Sequence, residues 1–134
     1  MDYKNLKEGL KIYFEGENLP MELIARTENY ACVVRSLDIE EDYDLIYHEV
    51  ERGSYYDTKE AYEDFKDDPV YSLLDFKNHK KAPTNRIFYT YDFWSKKDCK
   101  KACKDLEKEK HALSKRYGTE LKIDWKRTLN KSNI

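Results

Sequence analysis

Two clusters of polar residues carry most of the chemistry that this sequence could perform. The first is a basic turn at 77–86, in which lysines, a histidine and an arginine surround Pro83, Thr84 and Asn85. Backbone N–H groups in such a turn can surround phosphate oxygens, and lysine adds a positive point charge. The second cluster is the segment SKRY at 114–117, where arginine could bind a pyrophosphate bidentately or stack on adenine.

Aromatic rings adjoin the first cluster. Phe76, Phe88 and Tyr89 lie close to it in sequence and could each offer a ring face to a base. From composition alone, the basic turn is more often a solvated hairpin end. The segment 114–117 is likewise typical of a helix C-terminus, where basic side chains complement the helix dipole. The residues therefore indicate an anionic ligand without identifying it.

The sequence shows no catalytic constellation. His48, His79 and His111 lie in different segments, and the chain contains no nucleophile elbow, no glycine-rich phosphate loop and no CxxC or HExxH motif. We therefore predict no catalytic residues, no metal ligands and no cofactor, and we expect a protein that is not an enzyme.

Charge is distributed unevenly along the chain, although the net charge is only −2. Residues 38–68 carry 13 acidic and 3 basic residues, a balance of −10, whereas residues 77–134 carry 17 basic and 7 acidic residues, a balance of +10. This asymmetry fits an acidic appendage beside a basic working face, or subunits that pair head to tail. Solvated helix faces are the simpler explanation.

The cysteines and the hydropathy of the chain indicate the cellular compartment of the protein. Cys32, Cys99 and Cys103 lack metal-ligand spacing, so we expect buried, reduced thiols. The N-terminal residues lack a signal-peptide pattern, and no apolar run approaches the ~20 residues of a membrane span. A soluble intracellular protein is therefore expected.

The first half of the chain is predicted to contain two paired strands, a further strand and a short helix. Apolar runs at 21–26 and 30–37 are joined by a three-residue hairpin connection. The centre of 45–56 is predicted as a strand, and 57–68 as a short helix with Asp57 or Thr58 as its N-cap.

A second hairpin and a long helix follow. The runs at 70–76 and 86–94 predict two strands joined by about eight to nine residues, longer than an ordinary hairpin loop. Ser95 begins a predicted helix with the apolar stripe Cys99, Ala102, Cys103 and Leu106. A last short strand is expected in 120–125 and a frayed C-terminus after it. The predicted class is α+β, an antiparallel β-sheet with one long or two short C-terminal helices and an acidic insertion at 38–68, within a single domain spanning 1–134.

Several segments resemble one protein family. The stretches LPMELIARTENYACVV, VYSLLDFKNHKKAPTNRIF and DFWSKKDCKKACKDLEKEKHALSKRYGTELKID are similar, in order and without gaps, to the first type of Thoeris anti-defence protein. The resemblance covers 19–36 and 70–124. It implies a phage-encoded sponge that sequesters cyclic ADP-ribose isomers (glycocyclic ADP-ribose), the alarm signals made by bacterial TIR-domain enzymes, without cleaving them.

The resemblance also implies site residues. Pro83 and Asn85 match the end of the family's loop, and Ser114 and Arg116 match its Ser-x-Arg segment. The predicted ligand-binding residues are Phe76, Lys81, Thr84, Asn85, Phe88, Ser114, Arg116 and Tyr117.

Two positions depart from the family's pattern. Lys81-Ala82 stands where the family has Arg-Gly, which keeps the charge but loses the bidentate fork and the backbone freedom of glycine. Tyr117 stands where the family has Asn. These departures bear on which ligand is preferred more than on the binding role.

Partners and location follow from the same resemblance. It implies a homo-oligomer, commonly a hexamer, acting in the cytoplasm of an infected bacterium, with cyclic oligonucleotides as a further ligand class and no membrane partner. Nucleic acid is the less favoured partner. The alternative function is a small phage nucleic-acid-binding or host-takeover protein that uses the basic C-terminal half.

Overall fold

A computed structural model describes residues 3–76, 86–109 and 118–132. One antiparallel sheet has its strands in the order of the chain. The strands are β1 (Lys11–Ile12), β2 (Met21–Arg26), β3 (Tyr30–Arg35), β4 (Tyr71–Asp75), β5 (Arg86–Phe93) and β6 (Thr119–Lys122). The helices are α1 (Tyr43–Arg52), α2 (Thr58–Asp67), α3 (Lys96–Glu109) and α4 (Trp125–Ser132), after a 3₁₀ turn at Tyr3–Asn5.

The sheet curls into a half-barrel whose two edges meet. An isolated bridge joins Phe14, just after β1, to Ile123, just after β6. Two backbone hydrogen bonds hold this junction, from Glu15 N–H to the Lys122 carbonyl and from Asp124 N–H to the Tyr13 carbonyl, each 2.8 Å long. Pairing the two edges satisfies backbone groups that would otherwise be exposed.

Alternate residues along the strands build two apolar layers. On the concave face, Leu23, Val33, Leu74 and Ile87 lie in the main buried core. On the convex face, Cys32 and Leu73 pack against α3, because successive side chains of a strand point to opposite faces of the sheet. The predicted apolar stripe of α3 is confirmed, since its Cys99, Cys103 and Leu106 are buried there.

The acidic segment folds into the helix pair α1–α2. Ile46 and Ala61 are buried between the two helices and Leu19, in a small core of their own. The strand predicted in 45–56 is wrong, because Ile46 and Val50 lie four residues apart and face α2 from one side of a helix. The predicted cap of α2 is confirmed: the Asp57 carboxylate accepts from Glu60 N–H at 2.6 Å.

The C-terminal residues form a helix where fraying was predicted. Asp124 accepts a hydrogen bond from the backbone N–H of Arg127 at 3.1 Å, which caps the first turn of α4. Thr128 is fully buried, and its hydroxyl accepts from Tyr13 N–H at 2.9 Å. These long-range contacts stabilise a segment whose own sequence is polar.

The predicted α+β class with an antiparallel sheet is confirmed. The hairpin of β4 and β5 is present, and its connection comprises residues 76–85. The predicted last strand is also present as β6, which begins one residue earlier and ends three residues earlier than predicted.

Candidate functional site

One end of the half-barrel brings together the start points of both predicted ligand segments. Asp75 at the end of β4 pairs with Tyr30 of β3 and with Phe88 of β5, so the β2–β3 turn adjoins the connection at 76–85. The last turn of α3 also reaches this turn, and residues 110–117 follow it in the chain. We call this region the loop end, defined by residues 26–30, 75–76, 86–88 and 107.

Asn29 links the last turn of α3 to the residue that begins the β4–β5 connection. Its backbone N–H and side-chain Nδ2 donate to the two carboxylate oxygens of Glu107, each at 2.8 Å. Its carbonyl oxygen accepts from Phe76 N–H at 2.7 Å. Burial alone would raise the pKa of Glu107, but the hydrogen bonds from Asn29 outweigh it and hold that pKa below its ordinary value. Glu107 is therefore a charged structural contact.

Arg26 organises the other side of the loop end. Its guanidinium donates to the carbonyl oxygens of Leu6, Thr27 and Glu28 at 2.7, 3.0 and 3.1 Å. The same group lies 5.0 Å from the ring centroid of Phe76. Arg26 thereby holds the backbone of the β2–β3 turn against the first residue of the connection.

Two of the predicted ligand-binding residues are described by the structure. Phe76 is 1% exposed and lies in the concave core, a position suited to holding the connection in place rather than to offering a ring face. Phe88 is half-buried on β5, opposite Asp75 on one side and Glu120 on the other.

The remaining predicted residues lie outside the described ranges. They are Lys81, Thr84, Asn85, Ser114, Arg116 and Tyr117. Arg86, the last basic residue of the first cluster, is described, and its guanidinium forms an ion pair of 2.8 Å with Glu120 of β6. The structure therefore places the boundaries of both segments, while the segments themselves stay predictions.

A cleft at the opposite end of the half-barrel was not foreseen from the sequence. Two adjoining cavities of about 280 and 240 Å³ share Met21, Arg35 and Tyr89 as lining residues. Both lie between the concave face and the helix pair α1–α2. We call them together the mouth. The only sequence signal for it was the acidic segment, which gave no indication that α1 and α2 would cover this end.

The mouth has more acidic than basic side chains. Glu17 and Glu49 line the first cavity, and Asp68 and Asp92 line the second. Arg35 is the basic residue that both share, and its guanidinium lies 4.7 Å from the ring centroid of Phe65. Four carboxylates around one guanidinium disfavour a phosphate ligand at this end of the molecule.

Hydrogen bonds hold the inner wall of the mouth. The Asp92 carboxylate accepts from the Tyr89 hydroxyl and, at 2.8 Å, from Ser72 Oγ. Burial, together with the bond to Asp92, raises the pKa of Tyr89 to about 12. Tyr89 is therefore a neutral hydrogen-bond donor at physiological pH, which fits a structural role or the binding of a neutral polar group.

The three thiols are buried and free, as predicted. A hydrogen bond with Cys103 lowers the pKa of Cys32, but a second one with Cys99 and burial prevail and raise it to about 12. The hydrogen bond with Cys32, together with burial, raises the pKa of Cys103 as well. Protonated thiols inside an apolar layer are poor nucleophiles, so this cluster serves packing.

The described ranges contain neither a grouped metal-ligand set nor a membrane-spanning helix. Within 3–76, 86–109 and 118–132, no three His, Cys, Asp or Glu side chains are grouped so that they could hold a metal ion. None of the helices in those ranges combines the length and the apolar character needed to cross a bilayer. His48 is exposed on α1, where its Nδ1 lies 3.5 Å from Glu51.

The chain matches no protein-family model, no curated protein and no solved structure.

Proposed function

We propose that this protein is a phage anti-defence sponge that binds a cyclic ADP-ribose isomer and sequesters it without cleavage. The ligand-binding residues would be those of the two polar segments, with Lys81 and Arg116 meeting the pyrophosphate. Lysine supplies charge, and the arginine fork suits two phosphate oxygens at once. Ser114, Thr84 and Asn85 would supply hydrogen bonds to the riboses.

The observation that carries the proposal is the position of Asn29. Through its three backbone and side-chain groups it joins Glu107, three residues before 110–117, to Phe76, the residue before 77–85. Two segments that are far apart in sequence thus begin from one hydrogen-bonded unit. A ligand with a pyrophosphate, an adenine and two riboses needs several groups that converge in this way.

The charges of the two ends favour the same location. The mouth presents four carboxylates, whereas the basic residues of both polar segments follow directly from the loop end in the chain. An anionic ligand is repelled by the first arrangement and attracted by the second.

Sequestration makes different demands from catalysis. A sponge works by mass action, so it must outnumber its ligand and release it slowly, and it needs no acid–base pair. We further propose that the protein forms a homo-oligomer, which in the family that the chain resembles is commonly a hexamer. It would act in the host bacterial cytoplasm and bind cyclic oligonucleotides as a second ligand class.

Isothermal titration calorimetry with 1″–2′ and 1″–3′ glycocyclic ADP-ribose tests the proposal. We expect heat with at least one isomer at micromolar protein, and linear ADP-ribose serves as the matched control. Release of the ligand by heat denaturation should return it intact. Absence of heat with both isomers would overturn the sponge proposal, and recovery of a cleaved product would indicate an enzyme instead.

A further inference from the structure

Lysine predominates on the exposed side of α3, where Asp98 and Asp105 are the exposed acidic residues among those whose burial is described. Spacings of three and four residues place side chains on one side of a helix, and here they place lysines opposite the buried stripe of Cys99, Cys103 and Leu106. We call this surface the lysine face. It consists of Lys96, Lys97, Lys100, Lys101, Lys104 and Lys108.

On the lysine face, like-charged pairs outnumber opposite-charge pairs, unlike on an ordinary solvated helix. Such helices alternate acidic and basic residues four apart, which stabilises them. In α3 four lysine pairs have this spacing, namely Lys96 with Lys100, Lys97 with Lys101, Lys100 with Lys104 and Lys104 with Lys108, whereas Lys101 with Asp105 is the one oppositely charged pair at the same spacing. Each of the four lysine pairs repels and slightly destabilises the helix, so on balance the arrangement works against the stability of the isolated chain.

The six lysines form no salt bridge with the described residues. Among those residues, no carboxylate oxygen lies within 4.0 Å of any of the six lysine Nζ atoms. Asp98 and Asp105 are seven residues apart and share a flank outside the lysine face. Glu107 is held by Asn29. The six charges therefore remain available to an external anion.

The acidic helices lie on the other side of the sheet. α3 covers the convex face, where it contacts Cys32 and Leu73. The pair α1–α2 adjoins the concave side, where Glu49 lines the mouth and Glu41 and Asp42 contact Lys11 of β1. An extended anion can therefore approach the lysine face without meeting the acidic segment.

The length of the lysine face indicates which kind of anion it could bind. From Lys96 to Lys108 the row is about 18 Å long at the rise of an α-helix, which exceeds the reach of one phosphate or pyrophosphate. The indole of Trp94, two residues before the row, is 74% exposed. Lysine rows combined with an exposed aromatic ring suit a chain of phosphates that carries unpaired bases.

We propose that the lysine face and Trp94 bind single-stranded nucleic acid through its phosphates, without sequence preference. This activity is independent of the sponge proposal, because it uses α3 rather than the segments 77–85 and 110–117. Lysines meet the phosphates, and Trp94 stacks on a base at the N-terminal end of the helix.

Fluorescence anisotropy with labelled single-stranded DNA of mixed sequence, over a series of salt concentrations, tests this inference. The triple variant Lys97→Gln/Lys101→Gln/Lys104→Gln should reduce the slope of log K against log salt by about 2. A control triple, Lys7→Gln/Lys59→Gln/Lys126→Gln, removes the same charge from other exposed sites and should leave the slope nearly unchanged. Glutamine preserves helix propensity, and circular dichroism checks folding.

The aromatic part of the site has its own test. Trp94→Ala should weaken binding to single-stranded DNA about tenfold and leave binding to the duplex unchanged, because duplex bases are already stacked. Two results would overturn the inference. One is no binding at low salt. The other is salt-dependent self-association that the lysine triple abolishes without any DNA binding, which would assign the lysine face to the acidic helices of a second copy.

Discussion

The loop end and the mouth lie at opposite ends of the same half-barrel and are built differently. At the loop end, charged and amide side chains form hydrogen bonds that hold the backbone. Arg26 donates to three carbonyl oxygens, and Glu107 accepts two hydrogen bonds from Asn29. At the mouth, Glu17, Glu49 and Asp68 line open space. The first end is a hydrogen-bonded base for two connections, and the second is an acidic cleft under two peripheral helices.

The two ends therefore use charged side chains differently: at the loop end they hold backbone segments in place, and at the mouth they line a cavity. A visible cavity is the usual first candidate for a ligand site, yet here its charge opposes an anionic ligand. The two basic segments begin instead at the loop end. Electrostatics and chain topology therefore outweigh cavity volume in choosing between the two ends.

The largest expected effect compares one phenylalanine at each end. Phe76→Ala should lower the free energy of unfolding by about 3–5 kcal/mol, because the ring is fully buried in the main core. Phe65→Ala should lower it by about 1–2 kcal/mol, since Phe65 is half-buried against α1–α2. Urea unfolding measures both. Equal losses would show that the helix pair is as much a part of the main core as the loop end.

The next largest expected effect concerns the hydrogen bonds between Asn29 and Glu107. Glu107→Gln should lower the free energy of unfolding by about 1.5–3 kcal/mol at pH 7, because it removes charge-assisted hydrogen bonds. The exposed Glu63→Gln on α2 is the matched control, with a change near zero. A similar loss in both variants would mean that net charge, rather than the bond to Asn29, is responsible.

The same carboxylate predicts a pH dependence. The pKa of Glu107 is lowered in the folded state from its ordinary 4.5. The stability it contributes is therefore fully present above pH 4.5 and is lost as pH falls through the lowered folded value. In Glu107→Gln this part of the acid destabilisation should vanish, which unfolding curves between neutral and acid pH would reveal.

Ligand binding gives a third way to separate the two ends. Lys81→Ala and Arg116→Ala should each weaken cyclic ADP-ribose binding by about 1–3 kcal/mol if they contact phosphate. Arg35→Ala at the mouth should leave the affinity unchanged, and Lys59→Ala on α2 controls for net charge. Calorimetry measures all four. A loss with Arg35→Ala alone would move the site to the mouth.

The smallest effects concern the caps of two helices. Asp57→Ala should cost α2 about 1–2 kcal/mol, because its charged oxygen accepts from Glu60 N–H at 2.6 Å. Ser95→Ala should cost α3 about 0.5–1 kcal/mol, since its hydroxyl accepts from Asp98 N–H at the longer distance of 3.3 Å. Thermal unfolding followed by circular dichroism ranks the two, and a reversed order would contradict this explanation.

Local sequence patterns predicted several elements correctly, and two segments were mispredicted for physical reasons. The strands around the turn at 27–29 and the caps Asp57 and Ser95 depend on neighbouring residues only. The centre of 45–56 is predicted as a strand because Leu45 and Ile46 among tyrosines resemble a β pattern, whereas in the structure Ile46 packs against α2 from a helix. The sequence predicts a frayed C-terminus because the hydrogen bond that stabilises α4, between Thr128 and Tyr13, spans 115 residues and is invisible to local patterns.

The candidate site was predictable only in its residue types. The basic character of 77–86 and 114–117 is visible in the sequence, but their common starting point depends on Asn29, which local patterns predict merely as a turn residue. Phe76 was predicted as a stacking ring, and the core position of its side chain could not be read from neighbours.

The sequence by itself determined the α+β class, the strand order of the two hairpins, the apolar face of α3 and the presence of two basic segments, because these depend on periodicity and on residues close in the chain. Tertiary structure alone decided that the sheet edges meet at Phe14 and Ile123, that the acidic helices cover one end, and that Asn29 joins Phe76 to Glu107 at the other. Those contacts link residues far apart in sequence, and their energies depend on burial and charge that arise only once the chain has folded.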